Sequence, residues 1–356
     1  MRLLERLDQL YAIGGGPGAN RLGGSAEEDE AHELTAGWMR EAGLEVERDA
    51  AGNLYGRLRG HRPELPEVWT GSHLDSVPAG GRFDGALGVI GGLEAVERAG
   101  QQERTLTVVA FRDEEGWKGP GCVGSRSLCA GGLDPGPAAF VELHVEQGPR
   151  LDDADAPLAV VTGIVATARG QVVFDGHEGH AGTTPMAGRS DALVAAAEFV
   201  LRLREAAAAV EGAVATVGRL EVEPGASNVI PVRVRVSVDV RAPDRERLDA
   251  VLAVVPAEVV RTEPVAMAAL PSGALREQIE GLGLPLVELA SGAGHDAGVL
   301  ASAGVPTGML FVRSLNGGIS HSPEEHSARE DIEQAVSVLA GALAGLASTG
   351  DESSRE

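Results

Sequence analysis

His73 in TGSHLDSV, Asp84 in GGRFDGALGV, Glu115 in FRDEEG, His144 in VELHVEQGP and His321 in GGISHSPEE each stand just past an apolar run. Imidazoles and carboxylates suit divalent cations. Five of them, four behind strand-like runs, suggest one convergent site for two such ions. Paired cations usually activate a water, so the chemistry to expect is hydrolysis. His73 and Asp84 bracket HLDSVPAGGRFD, a loop dense in glycine and proline that lets the backbone bring two ligands to one point. An aspartate can bridge two cations roughly 3.5–4 Å apart, because each of its oxygens binds one. Asp75, two residues after His73, could accept the second imidazole N–H and fix its tautomer.

Glu114 and Glu115 are adjacent, and two neighbouring carboxylates repel unless something positive offsets them. A cation pair would do so. One glutamate could then bind metal while the other takes a proton from water and passes it to the leaving nitrogen. A solvated acidic loop would also explain the pair, and each histidine alone would pass as structural. His32, His61 and His326 lie in helical or loop contexts without the pattern and are expected at the surface.

The elements that must position these residues read as two textures. LEVERDA, NLYGRLR, EVWTGSH, TLTVVAFRDE and AAFVELHVE are strand-like, and VVAF and AAFVEL are apolar on both faces, as buried parallel strands are. GALGVIGGLEAVERAG between them is a helical crossover rich in small residues. The helix Ser25 to Ala42 has Ser25 as its cap and Gly43 as its stop. This alternation implies an α/β domain, an open twisted and mostly parallel sheet with helices on both faces, with ligands beyond the carboxyl ends of its strands. From about Thr162 the pattern becomes VATARGQVVFDG, an alanine-rich helix capped by Ser190, the alternating AVATVGRLEV and IPVRVRVSVDVRA, and the helix DRERLDAVLAVV. That order resembles a ferredoxin-like α+β insert. The expected division is therefore a discontinuous catalytic domain, 1–163 and 275–356, with 164–274 inserted as a lid or dimerisation domain. The tail DESSRE is expected to fray.

The chain has 356 residues, 43% apolar and 23% charged, and a net charge of −23. No basic surface is available for nucleic acid. MRLLERLDQLYAIG is an amphipathic helix rather than a signal peptide, and no segment approaches the roughly 20 apolar residues that cross a bilayer. Cys122 and Cys129 match neither a zinc nor a redox spacing, so two reduced thiols in a cytoplasmic protein are expected.

The strings GSHLDSVPAGGRFDGALGV, VVAFRDEEG, GPGCVGSR, ELHVEQGP, GHAGTTPM, SNVIP, SGAGHDA and SHSPEEH resemble those of the hydantoinase/carbamoylase amidohydrolases. That family includes N-carbamoyl-L-amino-acid hydrolases, β-ureidopropionases and allantoate amidohydrolases, within the wider di-metal aminoacylases and carboxypeptidases. The likeness runs in order from about Arg21 to Arg329. It implies one metal on His73, Asp84 and His144, a second on Asp84, Glu115 and His321, and Glu114 as general base. The metals it allows are zinc, manganese, cobalt or nickel.

It further implies that Gln147 contacts a ureido group. His180, Asn228 and Arg241 resemble lid residues that reach the partner's site in a homodimer, the histidine on the oxyanion and the arginine on the substrate carboxylate. His295 matches a position near the site. The implied activity is hydrolysis of a carbamoyl C–N bond in a small carboxylate-bearing substrate, foremost an N-carbamoyl-L-amino acid. Allantoate, an acyl-amino acid or dipeptide, or a non-catalytic binding role on the same scaffold are the alternatives. Two segments, 126–141 and 254–274, are shorter than the family pattern.

Overall fold

Runs with apolar side chains on both faces become adjacent buried strands, and their order decides where the candidate ligands fall. The computed structural model describes residues 2–348, so DESSRE lies outside the described residues. The chain opens with helices α1 (Arg2–Ala12) and α2 (Ala26–Glu41) and strands β1 (Glu45–Arg48), β2 (Leu54–Leu58) and β3 (Val68–His73). Helix α3 (Ala86–Ala99), β4 (Leu106–Phe111), α4 (Val123–Ala130), β5 (Ala139–Val145), α5 (Arg150–Asp153) and β6 (Leu158–Ile164) follow. Next come β7 (Ala166–Asp175), α6 (Ala192–Ala208), β8 (Val214–Thr216), β9 (Leu220–Glu223), β10 (Arg233–Ala242), α7 (Arg245–Leu252) and β11 (Val260–Thr262). The remainder is β12 (Val265–Ala266), α8 (Ala269–Gly281), β13 (Glu288–Ser291), α9 (Asp296–Ser302), β14 (Thr307–Val312) and α10 (Arg329–Ala347).

Two compact units result, one of residues 1–163 with 266–356 and one of 164–265. The first resumes at Ala266, ahead of the expected 275, because β12 joins its sheet. That sheet runs β1-β2-β4-β3-β5-β14-β6-β12, with β13 on β6. The central strands β4-β3-β5-β14 pair in parallel, while β1 with β2, β2 with β4 and β6 with β14 pair antiparallel, so the sheet is mixed. All four central strands are buried throughout. Alternate residues serve opposite faces. Val68, Val108, Val141, Leu143 and Leu310 share one apolar cluster with Leu87 and Ile90 of α3 and Leu339 of α10. Trp69, Val109, Phe140, Met309 and Phe311 share another with Leu300 of α9. Helices therefore cover both faces, as apolar runs of this kind require.

Small residues let α3 sit close to the sheet: a Cβ on Gly88 would stand 2.3 Å from the Leu143 carbonyl oxygen. At α2, Ser25 Oγ accepts the Glu28 N–H at 3.2 Å, and Glu28 Oε2 reaches back to the N–H of Gly24, the residue before the cap, at 2.7 Å, a variant of the capping box. The same helix corrects one expectation. His32 is fully buried rather than at the surface, on the inward stripe with Glu28, Thr35, Ala36 and Met39. His61 and His326 are exposed.

The second unit holds a five-stranded antiparallel sheet in the order β11-β7-β10-β8, with β9 also on β10. Counting β8 and β9 as one interrupted strand, this is the split β-α-β arrangement of a ferredoxin-like fold. Phe199 and Leu203 of α6 and Leu248 of α7 pack with the even-numbered valines of β10. The cap of α6 is Asp191, not Ser190: its carboxylate accepts the Leu193 and Val194 N–H groups. Among the described residues no helix is long and apolar enough to cross a membrane.

Candidate metal centre

Four adjacent parallel strands end on one edge of the sheet, and each delivers a candidate ligand there. His73 is the last residue of β3, level with Phe111 of β4. Three residues beyond the Thr70–Val141 pair, His144 stands beside His73 on β5 and opposite Phe311 of β14. Glu114 and Glu115 follow β4, and His321 lies in the loop after β14. Asp84 arrives from the long loop after β3, next to Gly85, which opens α3 with φ +62°. A Cβ on Gly85 would come within 2.4 Å of three atoms of the His73 ring, so only glycine lets the loop close over that imidazole.

The two oxygens of Asp84 face different partners. Oδ1 is 3.3 Å from His144 Nε2 and 4.0 Å from His73 Nε2, while Oδ2 is 3.2 Å from His321 Nε2. Glu115 Oε1 lies 3.4 Å from the same His321 nitrogen. Thus His73, Asp84 and His144 form one group able to hold an ion, and Asp84, Glu115 and His321 form another. The imidazoles are turned by their other nitrogens. His144 Nδ1 meets the Val145 carbonyl at 2.9 Å, and His73 Nδ1 meets the Asp75 carbonyl at 3.2 Å and its Oδ1 at 3.3 Å. An Nδ1–H donated to these oxygens leaves each Nε2 lone pair facing Asp84.

Asp75 also accepts the backbone N–H groups of Glu114 and Glu115, at 3.0 and 3.1 Å. Asp75 thereby ties the His73 imidazole to the Glu114 and Glu115 peptides. Glu114 Oε2 lies 3.8 Å from His73 Nε2, and its Oε1 accepts the Cys122 thiol at 3.2 Å. Cys122, expected only as a reduced thiol, thus touches the candidate base. It is held there by backbone bonds from Cys122, Val123 and Gly124 to the carbonyls of Glu114, Asp113 and Arg112.

Burial and the acids Asp296, Glu115 and Asp75 push the Glu114 carboxyl well above the ordinary range, against the pull of His73. Burial and Asp84 raise Glu115 to about 7. Burial works against a charged His73, but Asp75, Glu114 and Asp84 outweigh it and hold that imidazole well above its usual value. His321 is raised to about 9, chiefly by its hydrogen bond to Asp84. In this state protons on His73 and His321 offset the charge of the acids, and protons on the glutamates remove some of it. Two divalent cations would supply it instead. The donor set of imidazoles and carboxylates fits them, and Glu115 Oε1 is buried without a hydrogen bond.

Gln147, at φ +58°, donates its Nε2 to both oxygens of Asp84 at 3.1 Å and to Ser320 Oγ at 3.3 Å. His295 packs edge-on against the His144 ring, centroids 4.6 Å apart, with Nε2 2.8 Å from Ser291 Oγ. In the second unit His180 bridges to Val229, and Asn228 accepts the Ala181 N–H, so these two come together beside an open hollow that also includes Glu178. Arg241 does not join them. It lies at the other end of β10, eight residues past Arg233 and roughly 26 Å along a strand of about 3.3 Å per residue. There it forms a two-pronged pair with Asp239.

Three buried acids escaped the sequence reading. Glu142 accepts Ser72 Oγ and the Ala297 N–H, Asp296 accepts Ser125 Oγ, and Glu325 binds the Asp84 loop. Glu142 carried a signal, a charge within the otherwise apolar AAFVELHV. Asp296 opens α9 and Glu325 sits in a polar loop, and neither carried one.

A mixed sheet with two candidate ligand groups sharing one aspartate at the ends of its parallel strands fits a hydrolase of the di-metal peptidase type. The chain belongs to the peptidase family M20/M25/M40, whose profile matches residues 69–345. It is 38% identical to the N-carbamoyl-L-amino acid amidohydrolase of Geobacillus stearothermophilus, covering 95% of this chain and 96% of that one. That alignment spans 395 positions, more than the chain's 356 residues, so the relative carries segments this chain lacks. The chain is also 32% identical to the ureidoglycolate hydrolase of Arabidopsis thaliana, covering 97% and 86%. Among solved structures it resembles a hydantoinase/carbamoylase family amidase from Burkholderia multivorans, with a TM-score of 0.84, 33% identity and 97% of each chain covered.

Proposed function

We propose that this protein is a metal-dependent amidohydrolase that cleaves the carbamoyl C–N bond of an N-carbamoyl-L-amino acid, giving the amino acid, ammonia and carbon dioxide. The observation that carries this reading is Asp84, whose two oxygens are divided between the His73/His144 and Glu115/His321 groups, with Glu114 alongside. Those residues would hold two divalent cations, zinc, manganese, cobalt or nickel, which when bound lower the pKa of water and polarise a carbonyl.

Glu114 takes the proton of the attacking water and delivers it to the departing nitrogen. Its buried carboxyl is inclined to carry a proton between those two events. Asp75 holds the His73 tautomer and the Glu114 peptide in register. Gln147 presents its amide to the ureido group, Arg241 pairs with the substrate carboxylate, and His180 donates to the oxyanion. His295 backs His144 through its ring contact.

In this reading His180, Asn228 and Arg241 act on the partner's site across a homodimer. Leu193, Val194 and Leu201 expose an apolar stripe on α6 that suits such an interface. Two free cysteines suit a cytoplasmic protein.

The test is ammonia release from metal-loaded protein given N-carbamoyl-L-amino acids, N-carbamoyl-β-alanine, allantoate and ureidoglycolate, with chelated protein as control. Chelator-sensitive release from the first group is the expected result. Release from ureidoglycolate alone would favour a second reading, which the 32% identity to the Arabidopsis enzyme supports. Inertness toward all of them with two metals bound would refute the carbamoyl reading.

A further inference from the structure

Glu325 accepts the backbone N–H groups of Phe83 and Asp84 on one oxygen, at 2.7 and 3.1 Å, and the hydroxyl of Ser320 on the other, at 2.7 Å. Ser320 in turn accepts Gln147 Nε2, and Gln147 Nε2 reaches both oxygens of Asp84. The bonds therefore close a circuit from the Asp84 main chain through Glu325, Ser320 and Gln147 back to the Asp84 carboxylate. Its members come from three loops, those that follow β3, β5 and β14. Ser320 is the immediate neighbour of His321. The site is built around this acid, because a Cβ on Gly81 would come within 2.1–2.3 Å of the Glu325 carboxylate, so only glycine leaves it room. Glu325 itself is 5% exposed. Nothing in the proposed reaction uses it.

We infer that Glu325 is a positioning residue that fixes the shared ligand Asp84 and the His321 loop against each other, and so sets how tightly the second cation is held. A carboxylate suits the task, since one oxygen can take two converging N–H groups as charge-assisted bonds while the other anchors the neighbouring loop. Partners of this kind around a metal ligand typically contribute 10–100-fold to metal affinity. The inference rests on the two-cation reading above but not on the identity of the substrate.

The experiment titrates cobalt(II) into chelator-stripped, full-length protein, followed by visible absorption and calorimetry, with circular dichroism to show that each variant is folded. Wild type should take two ions. Glu325→Ala should bind the second about 10–100-fold more weakly, with an altered visible spectrum. Glu325→Gln should lose less than tenfold, because its amide oxygen still accepts both N–H groups and its NH2 can donate to Ser320 Oγ. Ser320→Ala, which cuts only the second arm, should fall between them. Glu325→Ala binding both ions within twofold of wild type would overturn the inference. Should Glu325→Ala fail to fold, Ser320→Ala within twofold of wild type would overturn it equally. A wild type that takes no cobalt would instead refute the metal reading on which it stands.

Discussion

Glu114→Gln removes a proton acceptor and almost nothing else. The bonds that locate this residue run from its main chain to Asp75, and the Cys122 thiol can donate to an amide oxygen as it does to the carboxylate. None of the five candidate ligands is altered. Positioned general acid–base groups contribute about 10²–10⁴-fold. At 1.36 kcal/mol per decade this amounts to about 2.7–5.4 kcal/mol of barrier. Stability should move the other way or not at all, because burial and three acidic neighbours already disfavour charge at this position and a neutral amide escapes them. The assay is kcat and KM on reloaded enzyme, with metal content by atomic emission and the thermal midpoint on the same samples. The expected result is a kcat lower by two to four decades, two metals retained and an unchanged or higher midpoint. Turnover within tenfold of wild type, with both metals present, would refute the assignment of Glu114 as base.

Cys122 sits at φ 58°, ψ 41°, where glycine is at ease and a side chain is not. Cys122→Gly should therefore keep or raise the thermal midpoint while lowering kcat several-fold at constant KM. Cys122→Ser should recover most of the loss, and a fully active glycine variant would show the thiol to be irrelevant. His32 is buried with neither ring nitrogen hydrogen-bonded, and burial together with Arg112 and Arg48 holds its pKa well below 6.5. Its neutral form is favoured in the fold, so this stability is present above pH 6.5 and lost as pH falls below it. The loss grows as pH falls further. Urea denaturation at pH 8 and pH 5 should show that extra drop in wild type and not in His32→Leu; equal drops would contradict it. Chelation should lower the thermal midpoint, and cobalt at 100 times its Kd should restore about 2.7 kcal/mol, whereas a chelator-insensitive midpoint would argue against a structural share in metal binding.

The candidate site was legible where strand chemistry announced it. Apolar runs such as TLTVVAF and AAFVEL fit buried strands, so several histidines and acids together at their ends had few bland explanations. Glu325 gave no such signal, because SPEEH reads like any solvated acidic turn and its burial depends on Gly81 and the Phe83 peptide, far away in sequence. His32 was misread for a related reason. Judged by residue type it belongs outside, yet Glu28, His32, Thr35 and Met39 fall at helical spacing on the buried stripe of α2. Periodicity held the information that polarity concealed. The strand β6 was absorbed into the change of texture near Thr162, since LAVVTGI passes without a break into the alternating pattern of the insert.

The crowd of buried acids has a consequence for how this protein meets its ions. Burial and neighbouring acids push Glu115, Glu142, Asp296 and Glu325 each up to about 7 in the metal-free fold, and His321 is raised to about 9, chiefly by its hydrogen bond to Asp84. Near neutral pH such groups carry protons, which cations binding in the pocket would have to displace. Loading acidifies a weakly buffered solution, and mildly acidic surroundings return the equilibrium toward the protonated form. The heat recorded in a titration then includes the protonation heat of the buffer, so enthalpies from two buffers differ in proportion to the protons displaced. Ambient pH becomes, through that exchange, as much a determinant of occupancy as metal supply.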